Sequence, residues 1–204
     1  MYKKFILSHH TNEKSFVWRF FIMKKWMIVC SALLVTVTVT GCSQQKEMMP
    51  VSGAIDHTLV TNVVDSKGTG IGSAELTETA AGVRVRLQLK GLEPGEKAIH
   101  FHEVGKCDPP DFTTSGSHVN PAKKQHGFDN PKGYHAGDLP NLKVNKNGIV
   151  DLEITTPNVT LEKGKSNSLL DEDGSAIIIH EKKDDYVTDP SGNSGNRIAC
   201  GILK

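Results

Sequence analysis

From about residue 54 onward, this 204-residue chain predicts an all-β domain, a sandwich or barrel that carries two long loops. Three observations predict it. Apolar and polar residues alternate with a period of two, as they do in strands with one buried face. No segment shows a convincing helical period. Short β-rich runs are bounded by Gly, Pro, Asn and Asp, the residues of tight turns. In order, "HTLVTNVVD" (57–65) is β-rich, and a "DSKGTG" turn separates it from "IGSAELTET" (71–79). "GVRVRLQLKGL" sets Val83, Val85, Leu87 and Leu89 against Arg84, Arg86, Gln88 and Lys90, a half-buried antiparallel strand. "KAIHFHEV" (97–104), "GIVDLEITT" (148–156), "SAIIIHEK" (175–182) and "NRIACGIL" (196–203) complete the set. Residues 105–142 and 181–196 break the pattern. Loops longer than about 12–15 residues inside a compact domain are usually functional or disordered.

The N-terminal part does not read as domain. "MKKWMIVCSALLVTVTVTGC" begins at Met23, with Lys24 and Lys25 ahead of an apolar run from Trp26 to Val39. That is the layout of a secretory signal and is too short for a membrane span. It ends in Val39-Thr40-Gly41-Cys42, which resembles a bacterial lipobox, where Cys42 would receive lipid and become the new N-terminus. An ordinary signal with an incidental cysteine is the other reading. Residues 1–22 precede a complete signal, so translation is expected to start at Met23, which sets His9 and His10 aside. The expected division is a removed extension and lipoprotein signal (1–41), a lipid-anchored tether (42–53) and the domain (54–204).

Charge follows the same division. Six Lys/Arg and one acid precede Cys42, while 18 Lys/Arg and 22 acids follow it, which together give the net +1. A mildly acidic domain argues against nucleic acid as a partner and against a basic membrane-binding surface. Anchoring would fall to the lipid, and two or more chains hold where one is marginal. Of the four cysteines, Cys30 and Cys42 belong to the signal. Cys107 and Cys200 remain as an even pair in an exported context, read as one disulfide, with two buried thiols as the alternative. A loop of that length would contribute about 4–5 kcal/mol in the chain-entropy account.

Histidines carry the chemistry. In a strand, His100 and His102 of "AIHFH" point to one face. His118, His126 and His135 lie in the first long loop, with Asp138 three residues after His135, and His180 ends "AIIIH". Imidazole suits copper and zinc, and a carboxylate beside histidines suits zinc. There are too many ligands here for one four-coordinate ion. His57 fits no motif and reads as a surface strand residue.

"AIHFH", "GSHVNP", "KKQHGF", "YHAGDLPN", "IIIHEKKDDY" and "GNSGNRIACG" occur in that order, and over about residues 54–203 the chain resembles the copper/zinc superoxide dismutases. The resemblance implies a Greek-key sandwich or flattened barrel, immunoglobulin-like, with one copper and one zinc per chain. It implies that His100, His102, His118 and His180 hold copper, and that His118, His126, His135 and Asp138 hold zinc, with His118 bridging. Asp184 would link a copper-side to a zinc-side histidine and fix both rings. Arg197 would guide the anion, and Cys107–Cys200 would be the intrasubunit disulfide. The implied reaction turns superoxide into oxygen and hydrogen peroxide, with His118 also carrying a proton. Three plainer readings stand beside these roles: Asp138 as a turn residue in "GDLPN", Asp184 and Asp185 as a solvated acidic loop, and Arg197 as a surface arginine.

The chain departs from the family at Ala98 and Lys106, where small or turn-forming residues are common. The segment between His180 and Arg197 resembles the compact bacterial form, which leaves the source of steering open. Competing functions are a non-catalytic copper/zinc-binding surface lipoprotein on the same fold and a structural sandwich whose zinc only stabilises it. The full ligand set favours the enzyme over both. Expected partners are superoxide and, through Cys42, the bacterial cell membrane from outside the cytoplasm. Homodimer and monomer are both open.

Overall fold

The computed structural model describes residues 57–204, so the signal, Cys42 and the tether lie outside the described residues. Nine strands follow in order: β1 Thr58–Asp65, β2 Gly70–Thr79, β3 Gly82–Lys90, β4 Gly95–Lys97, β5 Ile99–His102, β6 Leu142–Val144, β7 Ile149–Thr156, β8 Ser175–His180 and β9 Arg197–Leu203. Seven form one antiparallel sheet in the order β5-β8-β9-β1-β2-β3-β7, and β4 pairs with β6. The described residues hold no α-helix, only a single 3₁₀ turn at Thr113–Ser115. Val83 and Val150 from one end of the sheet share a core with Ile99, Ile177 and Leu203 from the other, so the sheet curls into a half-barrel around its own apolar face. The all-β prediction with two long loops holds.

The alternation in β3 is realised as read. Val83, Val85, Leu87 and Leu89 are buried, while Arg86, Gln88 and Lys90 are exposed. Its hairpin with β2 runs from Thr79↔Gly82 to Gly72↔Leu89. At the turn the Thr79 hydroxyl donates to Gly82 O and accepts from Ala81 N. "KAIHFHEV" is two short strands rather than one. Ala98 interrupts it, because its N–H donates to Lys182 O and its carbonyl accepts from His180 N. Residues 157–174, not singled out in the sequence, also lack regular strand. The Glu78 carboxylate holds them by accepting from Leu161 N and the Thr160 hydroxyl.

The site is positioned by β5 and β8. On β5, Ile99 and Phe101 face the main core, so His100 and His102 face away from it. On β8, Ile177 and Ile179 face the same core. Ala176 and Ile178 pack on the opposite face with Phe112 and Cys200 in a second, smaller cluster. Every residue of β8 is buried, because residues of the first long loop cover the outer face. Cys107 and Cys200 are joined in a disulfide, Cα–Cα 5.7 Å, which ties that loop to β9.

Candidate metal centre

His100 and His102 project outward from β5, and His180 stands at the end of β8, two strands that pair directly. The first long loop folds back so that His118 bridges His102 across an isolated β-bridge, and Asp138 does the same with His100. The rings meet closely. His100 and His118 centroids are 4.1 Å apart, His102 and His118 4.8 Å, and His100 and His180 4.9 Å. His100, His102, His118, His126, His135, His180, Asp138 and Asp184 are all buried.

Hydrogen bonds set which ring nitrogen is bare. His102 Nδ1 lies 2.9 Å from Gly116 O, so it carries the proton and donates. His180 Nδ1 lies 3.0 Å from Ser194 Oγ and 3.3 Å from Gly195 O. His100 Nε2 donates to Asp184 Oδ2 at 2.8 Å. The nitrogens left over are His100 Nδ1, His102 Nε2 and His180 Nε2, and these three are the buried side-chain polar atoms without a hydrogen-bond partner among the described residues. Buried lone pairs without donors are costly unless something electron-poor sits among them. One ring nitrogen from each of His100, His102, His118 and His180 lies within 4.8 Å of the others, a spacing a single cation can span.

A second convergence lies beside the first. Asp138 Oδ1 is 2.9 Å from His118 Nδ1, 3.0 Å from His126 Nδ1 and 3.3 Å from His135 Nδ1. Three imidazole nitrogens around one carboxylate oxygen must each bring a proton or share a cation. His126 makes the point clearest, since its Nε2 also faces a carboxylate, Asp184, at 2.9–3.0 Å. Asp184 therefore joins His100 to His126. Asp138 Oδ2 is held by Gly127 N and His135 N, both at 3.1 Å.

The charges agree with the geometry. Burial pushes His118 and His180 down to about 3, and pushes His100 and His102 down as well. Burial opposes ionisation of His126 too, but Asp138 and Asp184 outweigh it and raise it to about 9. For both carboxylates burial acts upward, and the histidine hydrogen bonds win, holding them well below the usual carboxylate range. One pocket is thus lined by neutral imidazoles. The other holds an anion that attracts positive charge. Arg197 borders the cleft above the first; its Nη1 donates to Phe112 O at 2.8 Å and Ser115 Oγ at 2.9 Å, and its Nη2 to Gly116 O at 2.8 Å. The cleft has a volume of about 560 Å³.

The sequence model of the copper/zinc superoxide dismutases matches residues 71–203. The chain belongs to the copper/zinc superoxide dismutase family. It is 51% identical over 144 residues to a Cu-Zn superoxide dismutase of Aquifex aeolicus, covering 70% of this chain and 85% of that one. It is 42% identical over 181 residues to a superoxide dismutase-like protein of Bacillus subtilis, covering 84% of this chain and 92% of that one. The crystal structure of a SOD-like protein from Bacillus subtilis aligns with a TM-score of 0.70 at 46% identity, covering 71% of this chain and 97% of that one.

Of the residues singled out in the sequence, His100, His102, His118, His126, His135, His180, Asp138 and Asp184 come together at this site, and Arg197 borders it. His57 stands apart, exposed just before β1. Asp184 is buried, which rules out the solvated-loop reading, whereas Asp185 is exposed. Several contributors carried no sequence signal. Gly116, Gly195 and Phe112 act through backbone carbonyls, which any residue type supplies. Asn141 was legible only as part of "DLPN"; its side chain exchanges two hydrogen bonds with the Asp184 backbone and locks the two long loops together.

Proposed function

We propose that this protein dismutates superoxide to oxygen and hydrogen peroxide outside the cytoplasm, anchored by lipid on Cys42. The observation that carries the reading is the set of three buried, unpartnered ring nitrogens facing His118, next to a carboxylate ringed by three more imidazoles. His100, His102, His118 and His180 would hold copper; His118, His126, His135 and Asp138 would hold zinc. When bound, copper supplies a one-electron redox couple, and zinc supplies a fixed positive charge without redox chemistry.

The chain's own residues do the rest. Arg197 holds a permanent positive charge over the cleft, its η nitrogens fixed by two carbonyls and a hydroxyl, and suits a small anion. Two superoxide ions enter in turn; one loses an electron and leaves as oxygen, the other gains it and takes two protons to leave as hydrogen peroxide. His118 faces Asp138 through Nδ1, which leaves Nε2 as the atom that carries a proton to the second anion. Asp184 keeps the proton of His100 on Nε2 and so keeps Nδ1 bare. The loop that closes over the rings excludes bulk water from the donor nitrogens.

Metal analysis of the domain loaded with copper and zinc, followed by superoxide consumption, tests this reading. Near one copper and one zinc per chain with fast turnover is expected. Both metals bound without turnover would favour a non-catalytic metal-binding protein, and zinc alone a structural sandwich. For the anchor, the full chain expressed in a bacterium should partition into detergent, and Cys42→Ser should move it to the aqueous phase; an unchanged partition would refute lipidation at Cys42.

A further inference from the structure

Lys97 on β4 is buried, 6% exposed, whereas every other lysine among the described residues is exposed. A buried ammonium needs a compensating partner. No carboxylate supplies it, since the one lysine ion pair among the described residues joins Lys165 to Glu162. Lys97 Nζ instead donates to the backbone carbonyl of Glu181 at 2.9 Å. The Glu181 carboxylate is engaged elsewhere, accepting from Asn196 Nδ2 at 3.1 Å. The interior therefore holds a cation aimed at a single backbone carbonyl, and that carbonyl belongs to the residue after His180.

Neighbouring bonds show what this contact fixes. His180 N donates to Ala98 O at 2.9 Å, and Ala98 N donates to Lys182 O at 2.8 Å. The Lys97 ammonium takes the residue between these two, so Lys97 and Ala98 grip residues 180–182 from one side. From the other side Asn196 O accepts from Glu181 N and Ser194 O accepts from Lys182 N, both at 2.8 Å. Ser194 also meets His180 Nδ1 through its hydroxyl. Lys97 is itself seated opposite Leu142 of β6, beside the Asn141 that holds Asp184. We propose that Lys97 is a positioning residue, whose ammonium pins the Glu181 carbonyl and so fixes the backbone that presents His180 to the copper pocket. This rests on the copper reading of His180. His126, His135 and Asp138 lie in the first long loop, outside this grip, so the two metal pockets should respond differently to its loss.

The test compares wild type with three variants. Lys97→Met keeps a chain of similar length without the donor, Lys97→Arg keeps a donor and the charge, and Val85→Ala, in the core on β3, controls for lost stability. In the metal-free protein, amide hydrogen exchange at His180 and Lys182 should quicken about tenfold in Lys97→Met and stay near wild type in Lys97→Arg. In the zinc-loaded protein, copper affinity by chelator competition should fall about tenfold in Lys97→Met, with zinc affinity held within about twofold. The Cu(II) electron paramagnetic resonance spectrum should change in Lys97→Met and return in Lys97→Arg. The sign separates positioning from charge, because loss of a nearby positive charge alone would tighten copper binding. Copper bound equally or more tightly by Lys97→Met, equal loosening of both metals, or the same spectral change in Val85→Ala would overturn the assignment. Unchanged exchange in metal-free Lys97→Met would overturn it whether or not the protein takes up copper. A protein that shows the Lys97 effects on exchange and on the copper spectrum but consumes no superoxide would instead refute the dismutase reading and keep the positioning role.

Discussion

At the scale of single residues, the site depends on which nitrogen of each ring is left bare. Asp184 decides this for His100 and His126 together, 2.8 Å from one and 2.9 Å from the other. Asp184→Asn keeps the size but removes the charge that orients both rings, so metal affinity should fall by roughly 10- to 100-fold, measured by competition with a chelator. Gly192 supports the same carboxylate. Its φ is +65°, and a Cβ there would collide with Asp184 Oδ1 and crowd His126 Nε2. Gly192→Ala should therefore mimic Asp184→Asn in the chelator assay, while an exposed control such as Gly164→Ala, which meets nothing within 4 Å, leaves affinity unchanged. The metal-free protein should also show a pH signature. His118 and His180 titrate near 3 when folded, against about 6.5 when unfolded. Their contribution is complete above about 6.5 and is lost as pH falls toward 3. His126, raised to about 9, has the opposite sign. Its contribution is complete below about 6.5 and is lost as pH rises through 9. Melting temperatures of the metal-free protein should peak near neutrality and fall on both sides; a flat profile would contradict these environments.

At the scale of elements, the strand pattern was legible because period two is a property of side chains, and β2, β3, β7, β8 and β9 fall within a residue or two of the runs that announced them. What escaped was set by backbone. β4 and β5 separate at Ala98, whose N–H and carbonyl are both diverted, and three-residue β6 is too short to show a period. The ligand histidines could be read by type and spacing, but the carbonyls that orient them could not. The 112–116 turn illustrates the difference. Its Ser115 hydroxyl, fully buried, donates to Phe112 O and accepts from Arg197. Ser115→Ala should leave copper and zinc content unchanged but loosen the guanidinium. The expected result is a lower turnover efficiency and weaker inhibition by small anions, together. Phe112→Ala, which empties the centre of the second cluster, should cost about 3–5 kcal/mol in denaturant unfolding. A loss under 1 kcal/mol would show that the cluster does not hold the loop.

At the scale of the whole molecule, one sheet does two jobs with its two faces. Its inner face curls around the apolar core, and its outer face at β5, β8 and β9 supports a polar site that would not survive in solvent. The long loops close that face, the Cys107–Cys200 link fixes one of them to β9, and Asn141 fixes the other to the first. The rigid sheet then holds ring nitrogens at spacings that side chains on mobile loops could not keep. The central claim is that His118 joins the two halves of this site into one redox centre. The direct measurement is the rate of superoxide consumption by the copper- and zinc-loaded protein beside His118→Ala, with metal content determined in both. The account predicts fast turnover in wild type, and in His118→Ala a domain that still folds and retains some metal but has lost turnover by several orders of magnitude. Equal turnover in the two proteins, or none in a fully loaded wild type, would contradict it.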